Sequence, residues 1–312
     1  MKEKHSKNKK MNPWIKGSLI VGSILICILL IGAFTVYRTL GKMQQVSVDT
    51  SDLNINYEEI QEFENHEEII NIALFGIDSE DGVAGRSDAI MIATIDPIHN
   101  KLKLTSIMRD SYVNIPDIGM DKINHAYAFG GPQLAIKTIN ENFGLDITDY
   151  MSVNFTSLPV IIDILGGVEI NITEEEVPHI PGVNSVGTYT LTGKQALSYS
   201  RIRYASGGDY VRTERQRTVL NALFNKASTL SVTALPGLLK EILPYVQTSM
   251  NTSDVLSLGT KALGSISNGL AQDRFPRDGY CEGTMIDGIY YLAFDQATAK
   301  EQMMSYIFDD VR

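Results

Sequence analysis

The chain is poor in the residues that most often announce chemistry. Its 312 residues include two cysteines, Cys27 and Cys281, and one tryptophan. Cys27 lies inside a long apolar run, so the pair cannot staple an exported domain, and stability must come from a core without disulfides. His5, His66, His99, His125 and His179 lack the spacing of a zinc site. No G-x-S-x-G elbow is present, which removes an α/β-hydrolase nucleophile. No G-x-G-x-x-G follows a strand, so the double glycines beginning at Gly130, Gly166 and Gly207 read as helix stops and turns. A Walker A loop fails as well: Gly187 stands one residue too far from Gly193 and Lys194, and Gln195 replaces the hydroxyl residue.

Basic residues are also unevenly missing. Residues 1–42 hold 8 of the 27 basic and 1 of the 37 acidic residues, leaving the rest with 19 basic against 36 acidic, a formal charge of −17. A domain of that charge is repelled by nucleic acid, and no nucleic-acid partner is expected. Ahead of it, residues 17–37 form an uncharged stretch of 21 residues, long enough to cross a hydrocarbon core. Six lysines precede it, so the positive-inside rule leaves residues 1–16 in the cytoplasm and the remainder outside. No short apolar core with a small-residue cleavage site is evident, which favours an uncleaved anchor in the lipid bilayer over a signal peptide. Residues 38–68 are acidic, with no Lys or Arg after Lys42, and read as an extracytoplasmic spacer.

The folded region is expected over 69–312. Apolar runs at 69–78 (IINIALFGID), 88–96 (DAIMIATID) and 101–107 (KLKLTSI) read as consecutive strands. If they run antiparallel, Asp78, Asp88 and Arg109 fall at one edge of the sheet. Two carboxylates and an arginine at one edge is what a phosphate site using Mg²⁺, or Mn²⁺ in its place, requires. The plain alternative also stands: Asp78 and Asp88 cap turns, and Arg109 pairs with Asp110. Further on, a helix opening at Pro132 and closed by Gly144, then strand, short helix and strand over 150–172, indicate a layered α/β/α domain with a central mixed sheet. Helices are expected over 192–204, 235–246, 252–266 and 295–308, and an irregular hairpin over 275–294.

Residues 198–217 (SYSRIRYASGGDYVRTERQR) carry Arg201, Arg203, Arg212, Arg215 and Arg217 and no lysine. Arginine presents a flat fork of donors that matches phosphate oxygens in pairs, so the cluster points to a fixed anion site. Asp209 reads as a helix N-cap, which places Arg212 and Arg215 where cations oppose the helix dipole; an external anion would gain from both. Arg212, Arg215, Gln216, Val219 and Leu223 share one face, polar then apolar, as a headgroup with a hydrocarbon tail would need. A solvated basic helix face with Val219 and Leu223 as core is the other reading.

Seven blocks in order, NIALFGID, RSDAIMIATIDP, SIMRDSYVNIP, DKINHAYAFGG, DILGGVEI, LTGKQALSYSRIRY and GDYVRTERQR, make the exported region resemble the LytR-CpsA-Psr family of cell-wall glycopolymer ligases. The resemblance covers roughly 71–218. It implies a phosphotransferase that attaches polyprenyl-diphosphate-linked glycopolymers, of teichoic acid or capsular polysaccharide type, to peptidoglycan. By the same resemblance Asp78 and Asp88 are metal-associated, Arg109 is catalytic together with Asp88, and Arg86, Lys122, Arg201, Arg203, Asp209, Arg212, Arg215 and Gln216 line the diphosphate site. A sugar hydroxyl of peptidoglycan, such as the C6 hydroxyl of N-acetylmuramic acid, would attack the glycan-side phosphorus, with no general base identified beyond Asp88. The chain departs from the family pattern at Met108, where proline usually precedes the arginine. Two other functions use the same site: a non-catalytic polyprenyl-phosphate-binding regulator of envelope synthesis, and hydrolysis of the diphosphate by water.

Overall fold

A computed structural model describes residues 38, 41–79, 85–154, 156–202, 215, 218, 219, 222, 223, 225, 226, 238, 241–265 and 270–312. The elements run β1 (Gln44–Gln45), α1 (Tyr57–Ile60), β2 (Ile70–Asp78), β3 (Arg86–Asp96), β4 (Lys101–Ile107), β5 (Tyr112–Ile115), β6 (Gly119–Lys122), α2 (His125–Phe143), β7 (Asp149–Asn154), α3 (Leu158–Ile164), β8 (Val168–Ile172), β9 (Gly187–Leu191) and α4 (Gly193–Ser200). They continue with β10 (Gln247–Thr248), α5 (Thr252–Ser265), β11 (Leu270–Phe275), β12 (Cys281–Ile286), β13 (Ile289–Phe294) and α6 (Gln296–Phe308).

The fold is α/β about a mixed sheet in the order β1-β10-β7-β2-β3-β4-β11. β2, β3 and β4 are antiparallel neighbours, whereas β7 joins β2 and β11 joins β4 in parallel. Strand alternation divides the sheet into two buried faces. Phe75, Ile77, Ile90, Ile92 and Ile107 point to one of them and pack with Ile136, Ile139 and Phe143 of α2 and Met303 and Ile307 of α6. Met91, Leu102 and Leu104 point to the other and are also buried, and α5 lies against β3 and β4. A second core joins Ile162 of α3, Val168 and Ile170 of β8, Leu191 of β9 and Ala196 of α4.

Three departures from the sequence expectations have clear causes. Residues 44–68 are not a spacer: Leu53 and Ile60 are buried in the main core, β1 pairs with β10, and Asn140 Nδ2 donates to Leu53 O at 3.1 Å. The helix expected from Pro132 begins earlier, at His125, and is kinked at Gly130 and Gly131, so Pro132 restarts it after the kink. β11 escapes an apolar-pattern reading because Asp273 and Arg274 are buried through ion pairs with Arg277 and Asp278 rather than replaced by apolar residues. The apolar run at 17–37 lies outside the described residues, and among the described residues no helix is long and apolar enough to cross a membrane.

One close approach fixes how α3 and α4 meet. Gly193 N donates to Asp163 Oδ1 at 2.7 Å, and a Cβ on Gly193 would stand 2.0 Å from Pro159 O. Gly193→Ala is therefore expected to force the helix ends apart and destabilise the protein by about 1–3 kcal/mol, measured as a lower denaturation midpoint. Gly259→Ala in α5, where no described residue lies within 4 Å of the new methyl group, should instead be neutral or stabilising by up to about 1 kcal/mol.

Candidate active site

The antiparallel order of β2, β3 and β4 brings the end of β2, the start of β3 and the turn after β4 to one edge. A register break sharpens this. Gly76 faces Ala89 but Ile77 faces Ser87, so Asp88 is the extra residue of a β-bulge. Bulges bend a strand and re-aim side chains, and here the re-aimed residue is an acid that is 3% exposed.

Asp88 is held from both sides. Arg109 Nη1 meets its Oδ2 at 2.9 Å, and Asn124 Nδ2 donates to its Oδ1 at 3.1 Å. The backbone ties the three segments together: Ser87 N donates to Asn124 O, and Asn124 N donates to Arg109 O. A row of alternating charge leads outward from this centre. Arg109 Nε lies 3.3 Å from Asp110 Oδ2, and Lys122 Nζ donates to Asp110 Oδ1 at 2.7 Å. Lys122 then lies over the rings of Tyr290 and Tyr291. Beside it, burial tends to raise Asp121, but hydrogen bonds from His125, Lys122 N and Tyr291 outweigh that and hold its carboxyl below the usual range.

On the other flank, Asp78 pairs in register with Arg86, and Arg201 Nη2 lies 4.0 Å from Asp78 Oδ1. Arg201 is the C-cap of α4, and its side chain is 57% exposed. Thus Asp78, Arg86, Asp88, Arg109, Lys122 and Arg201 belong to one region. Arg215 is turned inward instead: its Nε donates to Glu176 Oε1 at 2.7 Å, and its side chain is 5% exposed. An arginine so engaged braces the turn that carries Glu176 rather than meeting a headgroup. Arg203, Asp209, Arg212 and Gln216 lie outside the described residues.

The donor set can be tested against Mg²⁺. Among the described residues no group of three or more His, Cys, Asp or Glu is placed to hold a metal. Mg²⁺ does not need one, because it takes one or two carboxylates and fills its shell with waters and substrate phosphate oxygens. Next to Asp88, Ser87 Oγ and Asn124 Oδ1 are buried with no hydrogen-bond partner among the described residues. Hard oxygen atoms beside a buried carboxylate fit such an ion.

The LytR_cpsA_psr family model matches residues 33–306. The chain belongs to the LytR-CpsA-Psr family. One relative, the polyisoprenyl-teichoic acid–peptidoglycan teichoic acid transferase TagU of Oceanobacillus iheyensis, is 35% identical over 312 residues, spanning 95% of this chain and 93% of its own. Among solved structures, TagT bound to LIIa-WTA matches at 27% identity and TM-score 0.67, covering 85% of this chain and 100% of that one. The LytR-CPS2A-psr family protein YwtF (TagT) with bound octaprenyl pyrophosphate lipid matches at 25% identity and TM-score 0.64, covering 85% and 99%. In this LytR-CpsA-Psr chain, Met108 gains a bond that a proline could not make: its N–H donates to Phe275 O at 2.9 Å. The bond extends the β4–β11 ladder by one residue and seats the turn from which Arg109 reaches Asp88.

Proposed function

We propose that the protein is a membrane-anchored phosphotransferase that moves a teichoic-acid-type glycopolymer from a polyprenyl-diphosphate carrier to peptidoglycan. The observation that carries this reading is the buried Asp88–Arg109 pair at a bulge, flanked by the exposed Arg201 beside Asp78. The near full-length likeness to a teichoic acid transferase, and the lipid pyrophosphate held by a structural relative, support it.

In the proposed reaction an acceptor hydroxyl of peptidoglycan attacks the glycan-side phosphorus. A P–O bond forms to the acceptor, the P–O bond to the bridging oxygen breaks, and polyprenyl phosphate leaves with that electron pair while the hydroxyl proton is released. Such transfers need positioning and charge neutralisation more than covalent help. Arg109 neutralises charge growing on the phosphoryl oxygens, and Asp88 and Asn124 hold it in place. Arg201 and Arg86 grip the diphosphate, a role that the family resemblance extends to Arg203, Arg212 and Gln216, with Asp209 among the residues it assigns to that site. Asp78 and Asp88 would hold Mg²⁺, or Mn²⁺, which when bound neutralises diphosphate charge. Residues 17–37 cross the membrane, with residues 1–16 inside the cell and the catalytic domain outside.

The test is transfer in vitro from a polyprenyl-diphosphate-linked teichoic acid to peptidoglycan strands by the purified full chain. Product with a phosphodiester linkage, lost to a chelator and regained with Mg²⁺ or Mn²⁺, supports the reading. Tight lipid binding without product points to a regulator. In the same assay Arg201→Ala should raise the donor KM about tenfold, the value of one charge-assisted hydrogen bond. Its denaturation midpoint should not move, because the side chain is largely exposed.

A further inference from the structure

The direction of β1 tells which way the domain faces. β1 runs parallel to β10, β10 antiparallel to β7, β7 parallel to β2 and β2 antiparallel to β3, so β1 points the same way as β3. The chain therefore enters β1 at the sheet edge where β3 begins, the edge that carries Asp78, Asp88 and Arg109. Register fixes the level. Gln44 aligns across the sheet with Gln247, Ser152, Phe75 and Ile90, four residues from Arg86 on the site side and six from Asp96 on the other.

Those six residues of β3 amount to about 20 Å. Residues 38–43, which join the apolar run to β1, reach that far only when fully extended. They are not, since the chain turns at residues 41 and 42. A bilayer reached through this link lies against the site edge, and the far edge is beyond the link's reach.

The surface at the point of entry suits a lipid interface. Gln44 N donates to Val246 O at 3.0 Å and Gln44 Nε2 to Pro244 O at 3.2 Å, which sets the turn Leu243–Tyr245 beside the link. Leu243 is buried and its O accepts from Val246 N at 3.1 Å, so the turn is held firmly, yet Tyr245 is 38% exposed. An amphipathic ring in the open is suited to the headgroup level of a membrane. Arg38 and Lys42 are exposed on the link and are the only Lys or Arg in residues 38–68, so the cations of this acidic segment are confined to where lipid phosphates would lie. We propose that the site edge of the sheet docks on the surface of the bilayer, with the Tyr245 turn and the cations of the link in the headgroup layer. The proposal rests on the anchor reading of residues 17–37. Docked this way, Asp78, Asp88 and Arg109 stand at the edge nearest the layer in which the diphosphate of a membrane-held carrier lies.

The test uses the full chain reconstituted in vesicles whose lipids carry a nitroxide at the headgroup. Trp14 is the sole tryptophan, so Trp14→Phe gives a silent background. In it, Tyr245→Trp should lose most of its emission to contact with the nitroxide. Val311→Trp should keep its emission. Val311 is 59% exposed and follows Asp310, which pairs with Lys101 opposite Asp96 at the far edge. Equal losses at the two positions, or none at Tyr245→Trp, overturn the docking. Flotation of the same vesicles reads the anchor separately and needs no transfer activity. A chain that floats while Tyr245→Trp stays bright keeps the anchor and overturns the docking, and a chain that does not float overturns both.

Discussion

An Arg109→Ala variant is expected to lose transfer by about a thousandfold while still binding the lipid donor. The guanidinium is the cation placed directly on Asp88, and it emerges from a turn anchored by Met108 N on Phe275 O and by Asn124 N on Arg109 O. Its loss would act mainly on kcat, because charge on the phosphoryl oxygens grows as the bond to the leaving group breaks. Arg109→Lys should recover little, since a point charge on a flexible stem cannot hold Asp88 and a phosphate oxygen in one plane. Asp88→Asn keeps the shape and removes the charge that orients the guanidinium, so its defect should resemble that of Arg109→Ala in kcat. Single-turnover transfer with donor binding measured separately decides the matter. Activity within tenfold of wild type in a folded Arg109→Ala protein would sink the proposed role.

The second large effect concerns stability, at Lys103. This lysine is fully buried within β4, and its Nζ meets Asp96 Oδ2 at 2.8 Å and donates to Tyr306 O at 2.8 Å and Ile307 O at 3.0 Å. The two carbonyls belong to the last turn of α6, where helical acceptors lack partners and a cation is favourable. One side chain thus fastens the final helix to the sheet. Lys103→Met would remove the cation from a buried acid and strand both carbonyls, at a cost of about 3–5 kcal/mol. For a chain of this size that lowers Tm by about 10 °C. Adding Asp96→Asn should return part of the loss, because the unpaired charge goes with it. A Tm shift below about 2 °C for the single variant would show that the fastening is not cooperative with the fold.

How much of this was legible in the sequence depends on the range of the contacts. The three antiparallel strands carry long apolar runs broken by turn residues, and the edge position of Asp78, Asp88 and Arg109 follows from their order alone. α6 was readable from Asp295, which caps it by accepting from Thr298 N. The bulge at Asp88 was not, because an extra residue in a strand leaves the apolar pattern of β3 almost unchanged. The strap formed by residues 44–68 was hidden by its acids. Its buried positions are sparse, and its attachment runs through Gln133 and Asn140 more than eighty residues away. Arg215 looked like its neighbours in the cluster until the fold brought Glu176 to it across 39 residues.

The strap has one more implication. If residues 17–37 are the anchor, six residues separate the bilayer from β1, and even fully extended they span only about 20 Å. A folded domain leashed so closely cannot sweep through the thickness of a wall. With that anchor in place it would work close to the bilayer surface, so each polymer it transfers would be fixed to the peptidoglycan nearest the membrane. Lengthening that leash with a flexible insert between Lys42 and Gln44 would leave the chemistry intact and change only where in the envelope the product is laid down.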